Sequence, residues 1–392
     1  EYQAVAQRAF ELADDSPERE KFFIRGSYYS MHGNWDEAVK NYATLLRLHP
    51  DHRWGGHNLF NTLTALGRMD EAVPYAVLAA DDRPNDFYAQ ARAAAALVTW
   101  ANQTDAAGPY LERARELRTS TSEPNGYLEA WIDSYPIFEA WLNDDVISTQ
   151  DALQAAEDDL RGRPEAHQFA WFVAGGAESI GQLDRAAEID GSRAPSVAML
   201  AWMRGDVEDI DLLLHERDFR RAPSVTRLEP MRLILLALAG RAEIVETGLE
   251  WLRPQTERTD LNFVPAHIPG IVEVALAFAS GDHERAIQLL EPGLEAERQS
   301  GSRVFFLGAD LLSRAYEASG QPELAVRTLE AASRERHRTI PNATMEWAWI
   351  ASRLIELYRS LGREAQVRDL ADNLHRLLEQ ADPDFPVSAT DR

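Results

Sequence analysis

Three histidines, His49, His52 and His57, crowd one stretch of the chain, and imidazoles at such spacing could share a metal ion. Asp51 is the only carboxylate whose spacing supports them, and no His-Glu-x-x-His occurs, so they read as surface histidines of a turn. The adjacent carboxylates Asp144-Asp145 and Asp158-Asp159 would point to different sides of a helix. They read as helix-end or solvated charges rather than an acid–base pair. No Gly-x-Ser-x-Gly elbow and no Walker loop is present. Gly175-Gly176 with Gly181 lacks the dinucleotide-loop spacing and follows no strand. With 0 cysteines there is no disulfide framework, thiolate metal site or cysteine nucleophile. The expectation is therefore no catalytic residue, no metal and no cofactor.

Charge narrows the partners. Lys plus Arg number 40 and Asp plus Glu 64, a net charge of −24. Such a balance repels nucleic acid phosphates and the anionic face of a membrane. No apolar run is long enough to insert directly into a membrane, and no signal peptide is visible. The first residue is Glu1 rather than Met, so a processed or truncated chain is expected, and the compartment stays open between the cytoplasm and the extracytoplasmic part of a membrane-anchored protein. Apolar residues make up 45% of the chain, enough to bury a large core.

The elements that would position any site come from an internal repeat. Gly33-Asn34-Trp35-Asp36-Glu37-Ala38-Val39 recurs 34 residues later as Gly67-Arg68-Met69-Asp70-Glu71-Ala72-Val73, and Pro50 recurs as Pro84. A first unit runs from Arg19 to His52, with Phe22, Gly26 and Tyr29 on helix A, Ala38, Tyr42 and Leu45 on helix B, and Pro50 closing it. Gly33 reads as a left-handed cap between the helices, and Asp36-Glu37 favours the start of helix B. The second unit, Arg53 to Asp86, fills the same slots with Leu59, Leu63, Gly67, Ala72 and Pro84. The third, from Phe87, keeps Ala94, Leu97, Ala106 and Tyr110 but has Arg118 in the proline slot, before the polar break Thr119 to Gly126.

This period and these slots resemble the tetratricopeptide repeat (TPR) family, specifically over Arg19 to Arg118 and moderately over Ile268 to Gln380. The resemblance implies an all-α, right-handed superhelical solenoid of antiparallel helix pairs with A helices lining a concave wall. A narrower likeness lies in Ser16-Pro17-Glu18-Arg19, Phe22-Phe23, Tyr28-Tyr29, Gly33 and Glu37-Ala38, with the close Leu377-Leu378 and Ala381-Asp382-Pro383-Asp384-Phe385-Pro386. These look like the TPR region of bacterial Ser/Thr kinases and winged-helix regulators. No kinase core accompanies them: there is no Gly-rich phosphate loop, and Arg217-Asp218-Phe219 is followed by Arg220.

The rest of the chain is expected to be helical. Tyr127, Trp131, Tyr135, Phe138 and Trp141 recur at helical spacing and read as core, with Pro136 a candidate kink. Gly181, Gly205, Gly240, Gly281, Gly320 and Gly362 read as further hairpin turns, giving nine or ten helix pairs. Trp347 and Trp349 point to different sides of a helix, so at least one should lie near the surface. Residues 253–270 hold three prolines and read as a long connection. The expected division is residues 1–118, 119–265 and 266–382, then a loose tail over 383–392.

The expected binding face is the A-helix groove of the first three repeats. Clamps for acidic peptide tails in the resembling family use Lys, Asn and Arg at set positions. Asn58 and Arg92 fill two of them, while Phe23, Ser27 and Tyr88 fill the other three, so the clamp is incomplete. A groove of Phe23, Trp54, His57, Asn58, Asn61, Tyr88 and Arg92 would instead suit an apolar or aromatic-bearing segment. The expectation is a non-catalytic protein- or peptide-binding scaffold, the interaction or sensor region of a bacterial signalling protein. The alternatives are a small-molecule sensor or enzyme with a pocket in the middle third, lined by Trp131, Trp141 and Trp171, and a self-associating structural subunit.

Overall fold

The computed structural model describes residues 2–118, 126–163, 166–190, 203, 228–254, 268–300, 303–340, 344–383, 385 and 387. The expected turn at Gly205, the polar stretch 119–125 and most of the 253–270 connection lie outside them. The described residues form nineteen α-helices and no strand, in two compact units. The first holds α1 (Tyr2–Leu12), α2 (Glu18–Met31), α3 (Trp35–Leu48), α4 (Arg53–Ala65), α5 (Met69–Asp81), α6 (Phe87–Thr99) and α7 (Thr104–Arg118). The second opens with α8 (Tyr127–Leu142), α9 (Val146–Arg161), α10 (His167–Ser179), α11 (Leu183–Ile189), α12 (Leu228–Leu238) and α13 (Ala242–Leu252). It continues with α14 (Ile268–Ala279), α15 (His283–Ser300), α16 (Arg303–Ala318), α17 (Pro322–Arg334), α18 (Thr344–Ser360) and α19 (Glu364–Leu377). Helices on both sides of the 253–270 connection thus share one unit.

The 3.6-residue period explains each helix. In α3, Ala38, Tyr42, Leu45 and Leu46 form the buried stripe, with Asp36 and Glu37 in the first turn and Arg47 in the last, each matched to the helix dipole. Four helices carry an internal proline, and α8 runs through Pro136 without interruption. The aromatic run on α8 is core as expected for Trp131, Tyr135, Phe138 and Trp141, whereas Tyr127 is exposed.

The helices pair through one turn design. Gly33, Gly67, Gly181, Gly240, Gly281, Gly320 and Gly362 all have positive φ. The next residue's N–H reaches back five residues: Asn34 to the Tyr29 carbonyl, Arg68 to Leu63, Gln321 to Tyr316 and Arg363 to Tyr358. This is the Schellman closure, and glycine adopts it without a Cβ penalty. In two hairpins Asn102 (φ 52°) and Asp144 (φ 59°) take the glycine place. Short polar side chains tolerate that region, which is why no glycine marks those turns in the sequence. There are nine such pairs among the described residues.

Small residues set how closely neighbours pack. A Cβ on Gly26 would lie 2.6 Å from the Tyr42 ring, and one on Gly176 would lie 2.7 Å from Ile137. The expectation that small notches are plugged by larger side chains therefore holds, and each unit is built of TPR-like antiparallel helix pairs.

The second unit adds something an open series lacks. Its first pairs also touch its last: α10 packs against α18. The Asp382 N–H donates to the Gly181 carbonyl at 3.0 Å, and its carboxylate accepts from the Asp184 N–H at 2.9 Å. Phe385 and Val387 are buried. Of the tail expected to be loose over 383–392, the described Phe385 and Val387 are therefore packed, because these two apolar side chains have a core to enter.

Candidate functional site

Every expected groove residue sits on an A helix of the first unit. Trp54, His57, Asn58 and Asn61 occupy positions i, i+3, i+4 and i+7 of α4, and Tyr88 and Arg92 lie four apart on α6. Trp54 and Tyr88 are 34 residues apart, so they hold the same place in consecutive repeats. Both stay outside the core, at 51% and 41% exposure. The starts of α4 and α6 are fixed by caps: the His52 ring accepts from the Gly55 N–H at 3.1 Å, and Asp86 accepts from the Ala89 N–H at 3.2 Å.

His57 and Arg92 join the two A helices. Arg92 Nη1 donates to His57 Nδ1 at 2.7 Å. Arginine can only donate, so Nδ1 is the acceptor and the neutral ring carries its proton on Nε2. Nε2 lies 3.0 Å from the Asn61 amide, which is satisfied when that amide presents its oxygen. Burial foremost, then the Arg92 and Arg83 guanidiniums, hold the His57 pKa down to about 4. The ring is thus neutral at physiological pH, and the charge belongs to Arg92.

Arg92 lies over the Phe60 ring at 5.3 Å and forms no ion pair with a carboxylate among the described residues. Burial and the neighbouring Arg83 pull its pKa below the ordinary arginine value, but a guanidinium stays cationic. Arg83 pairs with Asp86 at 3.0 Å, while its Nη2 is buried without a partner. In a chain this acidic, Arg92 is a half-buried guanidinium with no ion-paired carboxylate among the described residues, offset only by the field of Asp86.

The other groove residues divide. Asn58 donates to the Tyr42 hydroxyl at 3.1 Å, which itself donates to Ser27 at 3.0 Å, so its amide ties α4 to the first hairpin. Phe23 is half-buried, with its ring centroid 5.1 Å from that of His52. Trp54 meets His57 edge-on at 5.6 Å. Trp54, Tyr88 and Asn61 are therefore exposed on this face, with His57 and Arg92 half-buried between them. Sequence reasoning missed Arg83, Asp86 and Phe60. The i, i+3 spacing of Arg83 and Asp86 around a helix cap was the available signal.

Residues weighed for other chemistry find structural partners. Asp145 caps α9 through the Ser148 N–H at 3.0 Å. Asp158 and Asp159 pair with Arg161 and Arg163 at 2.7 and 2.8 Å. Trp131 stacks on Tyr135 with centroids 4.8 Å apart. Trp347 is buried and Trp349 half-buried, with the Arg314 guanidinium 5.8 Å from the Trp349 ring centroid. No helix among the described residues is long and apolar enough to cross a membrane.

No family model and no curated protein matches the chain. Among solved structures it is similar to the TPR domain of P58(IPK), at 13% identity over 93% of this chain and 99% of that one, with a TM-score of 0.26. It is similar to yeast Tom70 at 13% identity over 95% and 85%, TM-score 0.28. It is also similar to a chain of Naa15/Naa10 bound to HypK-THB, at 15% identity over 94% and 65%, TM-score 0.26.

Proposed function

We propose that this chain is a non-catalytic protein- or peptide-binding scaffold whose A-helix face over α2, α4 and α6 receives a partner segment. One observation carries the reading: Arg92 has no carboxylate of its own and stands beside two exposed aromatic rings set one repeat apart. A segment bearing an acidic group and an apolar or aromatic side chain meets both features. The net charge of −24 disfavours nucleic acid as the occupant. The narrower reading, the interaction or sensor region of a bacterial signalling protein, is supported by the sequence likeness at Ser16 to Ala38 and at Leu377 to Pro386.

Selection from a displayed random-peptide library on the full chain tests the face. Enriched peptides should combine an acidic residue with an aromatic or aliphatic one. Their binding should weaken with salt and drop at least about tenfold in R92A and in W54A, variants whose circular dichroism stays unchanged. Enrichment of basic peptides, or binding indifferent to both substitutions, overturns the reading.

A further inference from the structure

The second unit is joined to itself across about half the chain by one cluster. Arg336, in the short 3₁₀ turn Arg336–Thr339 between α17 and α18, lies between two tryptophans. Its guanidinium carbon is 4.1 Å from the Trp141 ring centroid and 4.3 Å from that of Trp347, and the two rings stand at 84° to each other. Each indole is itself fixed: Trp141 donates to the Ser179 carbonyl and Trp347 to the Ser333 carbonyl, both at 2.9 Å. Arg336 also donates to the Asp144 carboxylate and to the Trp141 carbonyl. Asn373 on α19 holds the other Asp144 oxygen at 2.7 Å. Asp144 occupies the left-handed position of the α8–α9 turn, which points its carboxylate at the far end of the same unit.

This arrangement is an aromatic cage with a counter-anion, filled by the chain's own guanidinium. Cations over the faces of two desolvated indoles are held by the ring quadrupoles as well as by the carboxylate. Ordinary repeat arrays are stabilised by each pair's nearest neighbours, so they open from either end. Here the first and last pairs are also neighbours.

We propose that Arg336 in the Trp141–Trp347–Asp144 cage is a clasp that closes the second unit on itself, and that withdrawing it converts a cooperative closed unit into an open array. The ends at stake are α8 to α11 and α18 to α19, which the clasp and the Asp382–Gly181 strap bring together.

Amide hydrogen exchange on the full chain tests this with R336A, read with and without millimolar methylguanidinium. In R336A the amides of α8–α11 and α18–α19 should exchange faster together, by about 100-fold, since the half-exposed Asp144 loses its ion pair and a void opens between the two buried indoles. Helices of the first unit should be unaffected. Methylguanidinium should restore protection in R336A and leave exchange in the wild type unchanged. Acceleration confined to residues 336–339, or no restoration, overturns the proposal. Should R336A not fold, D144N takes its place: asparagine keeps the left-handed turn while removing the charge. D144N should raise exchange in both ends by about tenfold, and wild-type exchange in D144N overturns the proposal equally.

Discussion

Tyr42 lies across Gly26, so close that a methyl group on that glycine would sit 2.6 Å from the ring. The phenol is 1% exposed and satisfied at both ends, donating to Ser27 and accepting from Asn58. One contact thus sets the spacing of α2 and α3 and hands the next A helix its orientation. The groove face depends on it, because Asn58 shares α4 with Trp54 and His57.

Gly26→Ala should destabilise the first unit by about 1–3 kcal/mol, since the added methyl overpacks a filled notch. Tyr42→Phe should cost about 1 kcal/mol, from a hydroxyl whose two partners lose it. Gly293→Ala is the control: no other part of the chain lies within 4 Å of its Cβ and it sits inside α15, so it should stabilise by roughly 0.5–1 kcal/mol. Urea denaturation of the three variants measures the order, and a neutral Gly26→Ala would show that the pair can slide apart.

The turn glycines predict a second contrast. Gly320 has φ 72° and open space around its Cβ, so a substitution there tests backbone conformation alone. Gly320→Ala should lower stability by about 1 kcal/mol and Gly320→Asn by less, because asparagine visits the left-handed region more readily. Thermal melts separate them. Equal losses would mean that asparagine has no advantage over alanine in the left-handed region at this turn.

The repeat was legible where local rules act alone. Gly33, Gly67 and Gly320 mark turns because a left-handed cap leaves few alternatives, and Ala38 marks a notch because the period repeats it as Ala72. Asn102 and Asp144 were hidden, since those residue types serve many turns. The groove was legible as a set of A-helix positions, yet the sequence did not separate the face from its supports. Asn58 and Arg92 both looked like ligand-facing polar residues, but only the packing shows that Tyr42 takes one and leaves the other without a carboxylate. Closure of the second unit was out of reach, because it joins Arg336 to Asp144 and Asp382 to Gly181 across most of the unit, and no local pattern encodes a contact at that separation.

His337 makes stability depend on pH. It is 6% exposed, and burial foremost, with Arg338 and Arg298 nearby, holds its pKa down to about 4 against the pull of Glu335 at 3.7 Å. The folded pKa lies below the unfolded value near 6.5, so the unfolded chain binds the proton first. The contribution is therefore complete above about pH 6.5 and is lost as pH falls toward about 4. It amounts to roughly 3 kcal/mol. His337→Gln should flatten the stability–pH curve of the second unit over that window. A curve parallel to wild type would mean that the imidazole titrates alike in both states.

Phe385 provides the last test, of the strap that runs past α19. Its side chain is 4% exposed and Val387 is 2% exposed, although both follow a proline-containing stretch beyond the last helix. Phe385→Ala removes a large buried ring and should cost about 3–5 kcal/mol if the surroundings cannot collapse into the space. Asp382→Ala removes the carboxylate that caps the start of α11 through the Asp184 N–H and should cost about 1 kcal/mol. Both substitutions act on one strap, so the double variant should lose less than the sum of the two, because residues sharing a structure couple. Denaturation of the full chain measures all three. A fully additive double variant would mean that the two contacts hold the strap independently, and a neutral Phe385→Ala would mean that the chain end does not contribute to the core it enters.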